Sequence, residues 1–135
     1  MSQENVEAFK RGAAAYNRGD IDTMLEELDP EIEWHPALQV LLGGEATVYR
    51  GHQGVRDFIR DTGEAFTELQ AEQSEFRDLG EQVVAIGHFG GRGRESGVRI
   101  ETPMVWLVEF KNGKAVRARE YLDPAEALKA AGLSE

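Results

Sequence analysis

The sequence predicts an α+β domain, with a cone-shaped, curved and mostly antiparallel sheet wrapped around N-terminal helices. Helical periodicity dominates before Glu68. Four strand-like runs then follow, at about 69–79, 82–92, 97–111 and 114–122. The last two are separated by Asn112-Gly113, a strong two-residue hairpin signal. Helices first and an antiparallel meander afterwards place the helices on one face of the sheet. Twisted strands that curl around helices leave a hollow, which side chains or a ligand must fill.

The elements follow in order. From Gln3 to Arg18, Val6, Phe9, Ala13 and Tyr16 form an apolar stripe at helical spacing. Gly19 ends that helix, and Asp20 caps a second one, "DIDTMLEEL", with Met24, Leu25 and Leu28 facing inward. Asp29-Pro30 stops it, and "EIEWHP" reads as a brief strand ended by a proline. Ala37 to Thr47 reads as either a helical turn or a flap, with Gly43-Gly44 at its end. After Gly51, Val55, Phe58, Ile59 and Phe66 restore the helical period. In "VRIETPMVWLVEF", Val98, Ile100, Thr102, Met104, Trp106, Val108 and Phe110 alternate toward the core. Val105 and Leu107 form an apolar centre on the opposite face, which suggests a homodimer through the outer sheet face. "DPAEALKAAGL" closes the chain as a helix capped by Asp123, with Pro124 in its first turn and Gly132 at its end.

Composition narrows the partners. No repeat or linker divides the 135 residues, which read as one domain. The chain carries 15 basic and 25 acidic side chains, a net charge of −10, which repels nucleic acid and anionic membranes. It has no cysteine, so a disulfide, a thiolate nucleophile and a cysteine metal site are excluded. "MSQENVEAFK" lacks the basic and apolar regions of a signal peptide, and no apolar run is long enough to span a bilayer, so a cytoplasmic protein is expected.

The residue that stands out is Glu120. Within "VRAREYLD", alternation puts Val116, Ala118, Glu120 and Leu122 on one face, so a carboxylate sits in an otherwise apolar row. In an apolar cavity its ionised form is destabilised and its pKa rises toward neutrality, where general acid–base work is efficient. The alternatives are an ion pair with an arginine or a wet position at the sheet's rim. His35, at the end of its strand, faces outward by alternation, although a bend at Pro36 would re-aim it into the cavity mouth as a second catalytic candidate. Tyr16 and Tyr49 are candidate hydroxyl donors to a carbonyl. Trp34, Phe58, Met104 and Trp106 either line a pocket for an apolar ligand or plug the cone. His88 lies on a strand apolar on both faces, so its direction is open. The spacing of His35, His52 and His88 matches no compact ligand motif, and neither metal nor cofactor is expected. "GHFGGRGRESG" lacks the strand-to-helix setting and lysine of a phosphate loop, and reads as a wide hairpin carrying solvated Arg92 and Arg94.

Over nearly its whole length the chain resembles the SnoaL-like branch of the nuclear-transport-factor-2-like superfamily. These cystatin-like cone domains include polyketide cyclases, ketosteroid isomerases and limonene epoxide hydrolases. The resemblance is carried by "AAYNRGDID", "DPEIEWHP", "VYRGHQGVRDFI", "GRGRESGV" and "FKNGKAVRAREYLDPAEAL", in that order. It implies that an acidic residue a few positions after the "GK" turn points into the cone and acts as acid and base. Glu120 holds that position, where the family enzyme carries aspartate. The implied activity is a cyclase- or isomerase-type reaction on a small hydrophobic carbonyl compound; a non-catalytic ligand-binding or dimerisation module is the alternative.

Overall fold

The computed structural model describes residues 2–41 and 43–133. Helix α1 (Ser2–Asn17) buries Val6, Ala8 and Ala15 and turns Phe9 and Tyr16 toward the core. Gly19 ends it with φ at +80°, a value costly for any residue with a Cβ. Asp20 caps α2 (Ile21–Glu26), accepting hydrogen bonds from Thr23 N at 3.2 Å and Thr23 Oγ1 at 2.7 Å. Strand β1 (Leu28–His35) begins three residues earlier than the predicted "EIEWHP" strand. The unassigned stretch contains one helical turn, α3 (Leu38–Leu41), and an exposed segment that leads to the two-residue β2 (Tyr49–Arg50). Helix α4 (Gly51–Ala65) buries Val55, Phe58 and Thr62 on one side.

Strands β3 (Phe66–Asp78), β4 (Gln82–Gly93), β5 (Arg99–Lys111) and β6 (Lys114–Tyr121) complete a six-stranded sheet in the order β2-β1-β6-β5-β4-β3. All neighbours are antiparallel except β1 and β6, which run parallel. That pair brings the N-terminal half of the chain onto the last strand, with Trp34 opposite Ala118 and His35 opposite Arg119. The main core lies between the sheet's inner face and α1, α2 and α4. It takes in Ile32, Val55, Val83, Ala85, Phe89, Met104 and Trp106.

Three expectations are corrected. Strict alternation in β6 puts Val116 inside. Instead Glu109 pairs with Arg117 and Phe110 with Ala115, so Val116 is the extra residue of a bulge and the inner row reads Ala115, Ala118, Glu120. Val98, expected in the core row, is 59% exposed before β5 begins. Val105 and Leu107, expected to be exposed on one chain and covered by a second subunit, are already buried within one chain. They pack with Val84 against Ala127 of helix α5 (Pro124–Ala130), which folds back over the outer face. Asp123 caps α5 through Ala125 N at 2.9 Å. Among the described residues no helix is long and apolar enough to cross a membrane.

Glycines of β4 permit close strand approach. A Cβ on Gly87 would lie 1.8 Å from the Glu72 carbonyl oxygen, inside an irregularity of the β3–β4 ladder. Gly87→Ala is therefore expected to lower stability by about 3 kcal/mol or more, since main chain must move to admit the methyl group. Gly63→Ala, in α4 with open space around the new methyl, is expected to raise stability by roughly 0.5–1 kcal/mol. Urea unfolding of the two variants checks both signs.

Candidate active site

Between the helices and the inner sheet face lies a cavity of about 90 Å³. Its wall is apolar and aromatic, with Phe9, Phe58, Phe89 and Phe110 joined by Tyr16, Trp34 and Trp106. Glu120 enters this wall from β6. Trp106 stands directly opposite it on β5, so one ladder position supplies both the acid and a donor to it.

Both carboxylate oxygens are engaged. Oε1 accepts from the backbone N–H of Ala37 at 3.0 Å, and Oε2 from Nε1–H of Trp106 at 3.2 Å. Ala37 follows β1 and is buried with Leu38, so the main chain leaving β1 closes over the carboxylate. Removal from water raises the Glu120 pKa from the ordinary 4.5 to about 7, while the two donors hold it back from rising further. Part of the residue's surface stays accessible, as befits a group that lines a hollow. Tyr16 reaches the same cavity from α1. Burial, and then the charge of Glu120, push its phenol above the usual range, so it remains an O–H donor. Among the described residues its hydroxyl makes no hydrogen bond, and the buried Nε1 of Trp34 likewise has no acceptor.

The remaining candidates separate. Trp34, Phe58 and Trp106 are in the wall, and the ring centroids of Trp34 and Phe58 lie 5.5 Å apart. Met104 is 1% exposed and belongs to the packed core, outside the wall. Tyr49 packs its ring on Phe58 and donates its hydroxyl to Asp61 at 3.0 Å, so it is also outside the wall. His35 is a correction. Strand alternation continues to the end of β1, so its ring lies beside Glu33 at 3.3 Å instead of bending into the cavity mouth. Glu33 is held below its ordinary pKa range by His35 and then Arg50. His52 donates to the Leu28 carbonyl at 2.9 Å, and His88 is exposed on β4.

Sequence reasoning missed three participants. Phe89 was legible, since Val83, Ala85, Gly87 and Phe89 alternate inward along β4. Glu27 carried no signal; it lines the cavity just after α2, held by Arg11 through contacts of 3.0 and 3.1 Å. The Ala37 amide could not be read, because a backbone donor has no side-chain identity.

Comparison with known proteins places the fold. A family model described as the SnoaL-like domain matches residues 9–118. The chain belongs to that family. No curated protein matches its sequence. Among solved structures, this SnoaL-like domain is similar to a nuclear-transport-factor-2-like protein of unknown function from Burkholderia pseudomallei K96243. The two are 27% identical, with a TM-score of 0.79 over 93% of this chain and 95% of that one. A nuclear-transport-factor-2-like protein from Burkholderia xenovorans LB400 is 28% identical, with a TM-score of 0.74 over 100% and 98%. TerC, co-crystallised with polyporic acid, is 24% identical with a TM-score of 0.78 over 93% and 96%, a likeness of fold.

Because the Glu120 pKa is about 7 when folded against an ordinary 4.5, the folded chain keeps a proton that the unfolded chain releases in that interval. Stability from this group is full below the unfolded value and is lost as pH rises through the folded one. Glu120→Gln is expected to flatten the loss, on the order of 3 kcal/mol, between those pH values, as read by denaturant unfolding across pH. In a ¹³C NMR titration the Glu120 carboxyl should change near pH 7 and not near 4.5. Trp106→Phe, which removes a donor to the ionised form, should move that midpoint upward.

Proposed function

We propose that the chain is an acid–base catalyst of the isomerase or cyclase type, acting on a small, uncharged, apolar carbonyl compound. The observation that carries this reading is Glu120, a carboxylate withdrawn into an aromatic cavity with its pKa near neutrality. Ionised Glu120 takes a proton from the carbon beside the carbonyl. The electron pair of that C–H bond moves toward the carbonyl oxygen, and the Tyr16 hydroxyl donates a hydrogen bond to the oxyanion as it forms. Protonated Glu120 then returns the proton to carbon and is regenerated. The donors at Ala37 and Trp106 keep the carboxylate in one orientation through the cycle.

Size limits the substrate. An apolar cavity of roughly 150 Å³ accommodates benzene. At about 90 Å³ this one suits a compound of fewer heavy atoms unless its wall moves. A second reading, a non-catalytic binder of the same compounds, draws support from the fact that both Glu120 oxygens already have donors.

The two readings part in deuterium oxide. With butanone as substrate, the acid–base reading expects wild type to speed exchange of the hydrogens beside the carbonyl. The rate should climb with pH through about 7 as Glu120 ionises. Glu120→Gln should lose about 10²–10⁴-fold of that rate, and Tyr16→Phe about 10²-fold, by proton NMR. Wild type exchanging no faster than Glu120→Gln, while both bind butanone equally, would leave the binder.

A further inference from the structure

Several of the acidic side chains around this sheet have basic neighbours. Glu33 lies beside His35, Arg50 and Arg117, and Glu109 beside Arg117 and Arg119. Glu27, the other acid in the cavity wall, has its counter-charge in Arg11. Glu120 breaks the pattern. Its two donors are uncharged, and among the described residues no lysine, arginine or histidine forms an ion pair with it. Nor, among the described residues, does any basic side chain line the cavity. The surroundings are ring systems: Tyr16 from α1, Trp34 from β1, Phe58 from α4, Phe89 from β4 and Trp106 from β5.

A lone carboxylate among aromatic rings in a small hollow is the complement of one kind of ligand. A compact organic cation brings the missing positive charge, and its methyl groups satisfy an apolar wall. Aromatic faces attract such a cation more strongly once it is desolvated. A bare metal ion or ammonium would have to shed water that this wall cannot replace. An anion meets two carboxylates, Glu27 and Glu120. The net charge of −10 adds a long-range attraction for cations.

We propose that the cavity is also a binding site for a small alkylammonium ion, seated against the Glu120 carboxylate among the rings of Tyr16, Trp34 and Trp106. This rests on the reading that the cavity admits a ligand beside Glu120, but not on proton transfer to carbon. Binding requires the ionised acid, so affinity rises with pH through about 7. Tyr16 stays protonated, Trp34 and Trp106 do not ionise, and Glu27 is paired with Arg11. On the opposite sheet face, His35 pairs with Glu33 and Arg119 with Glu109.

Three probes of similar size test this: tetramethylammonium as cation, tert-butyl alcohol as neutral form and propionate as anion, with sodium chloride matching ionic strength. The readout is the NMR midpoint of Glu120, with affinity measured by calorimetry. Tetramethylammonium should lower the midpoint by about one pH unit or more, equivalent to about a tenfold preference for the ionised acid. Its affinity should be about tenfold higher at pH 8 than at pH 6, following the ionised fraction of a group with a pKa of about 7. Glu120→Gln should lose tetramethylammonium while retaining tert-butyl alcohol, and propionate should not bind. A midpoint unmoved by tens of millimolar tetramethylammonium, or moved equally by sodium chloride, overturns the proposal. Cation binding without butanone exchange supports it while removing the acid–base reading. Exchange without any cation effect does the reverse.

Discussion

The site depends on the balance at one carboxylate. Moving Glu120 out of water disfavours its charge, and two N–H donors return part of what hydration supplied. One donor is a side chain on the neighbouring strand. The other is main chain beyond the end of β1, distant in sequence but brought near by the parallel β1–β6 pair. With neither donor, the acid would stay protonated well above neutrality or leave the cavity. With a basic partner, it would remain ionised to low pH and act as an ordinary ion pair. Neutral donors hold it between these limits.

The sheet makes that balance possible by sorting charge from apolar surface. In β6 and β1 the outward side chains Glu33, His35, Arg117 and Arg119 share ion pairs with Glu109 and Arg50. The inward ones are Trp34, Ala118 and Glu120. Small side chains at Ala115 and Ala118 leave room where larger ones would fill the hollow, and aromatic residues complete the wall. The bulge at Val116 matters here, because a strand with two residues opposite one changes which side chains face inward on either side of it. Helix α5 seals the far face over Val105 and Leu107, so the apolar middle of β5 is covered on both sides.

Much of this was legible. Alternation along "VRIETPMVWLVEF" and "VRAREYLD" identified the inner rows of β5 and β6 except near Val98 and the bulge. Glu120 stood out because it broke an apolar row. Helix caps at Asp20 and Asp123 follow from local hydrogen bonding, which depends on a few consecutive residues. Failures came where the answer required a distant neighbour. Met104 and Trp106 share a strand face and similar hydrophobicity, yet only Trp106 reaches the hollow. Tyr16 and Tyr49 are equally amphipathic, but Asp61 claims the hydroxyl of one. His35 could have turned at Pro36, and an extended strand end with Glu33 beside the ring kept it outside.

Periodicity, turn chemistry and the placement of one acid among apolar residues were properties of the chain alone, since each arises between residues a few positions apart. They determined the α+β class, the order of elements and the interest of Glu120. The tertiary structure decided what that acid meets: the Ala37 amide above it, the indole across the ladder, the absence of a basic neighbour among the described residues, and the size of the hollow. Those depend on strand register and on contacts spanning most of the sequence. A carboxyl group's tendency to hold its proton is set by everything within a few ångströms of it, whatever the distance along the chain.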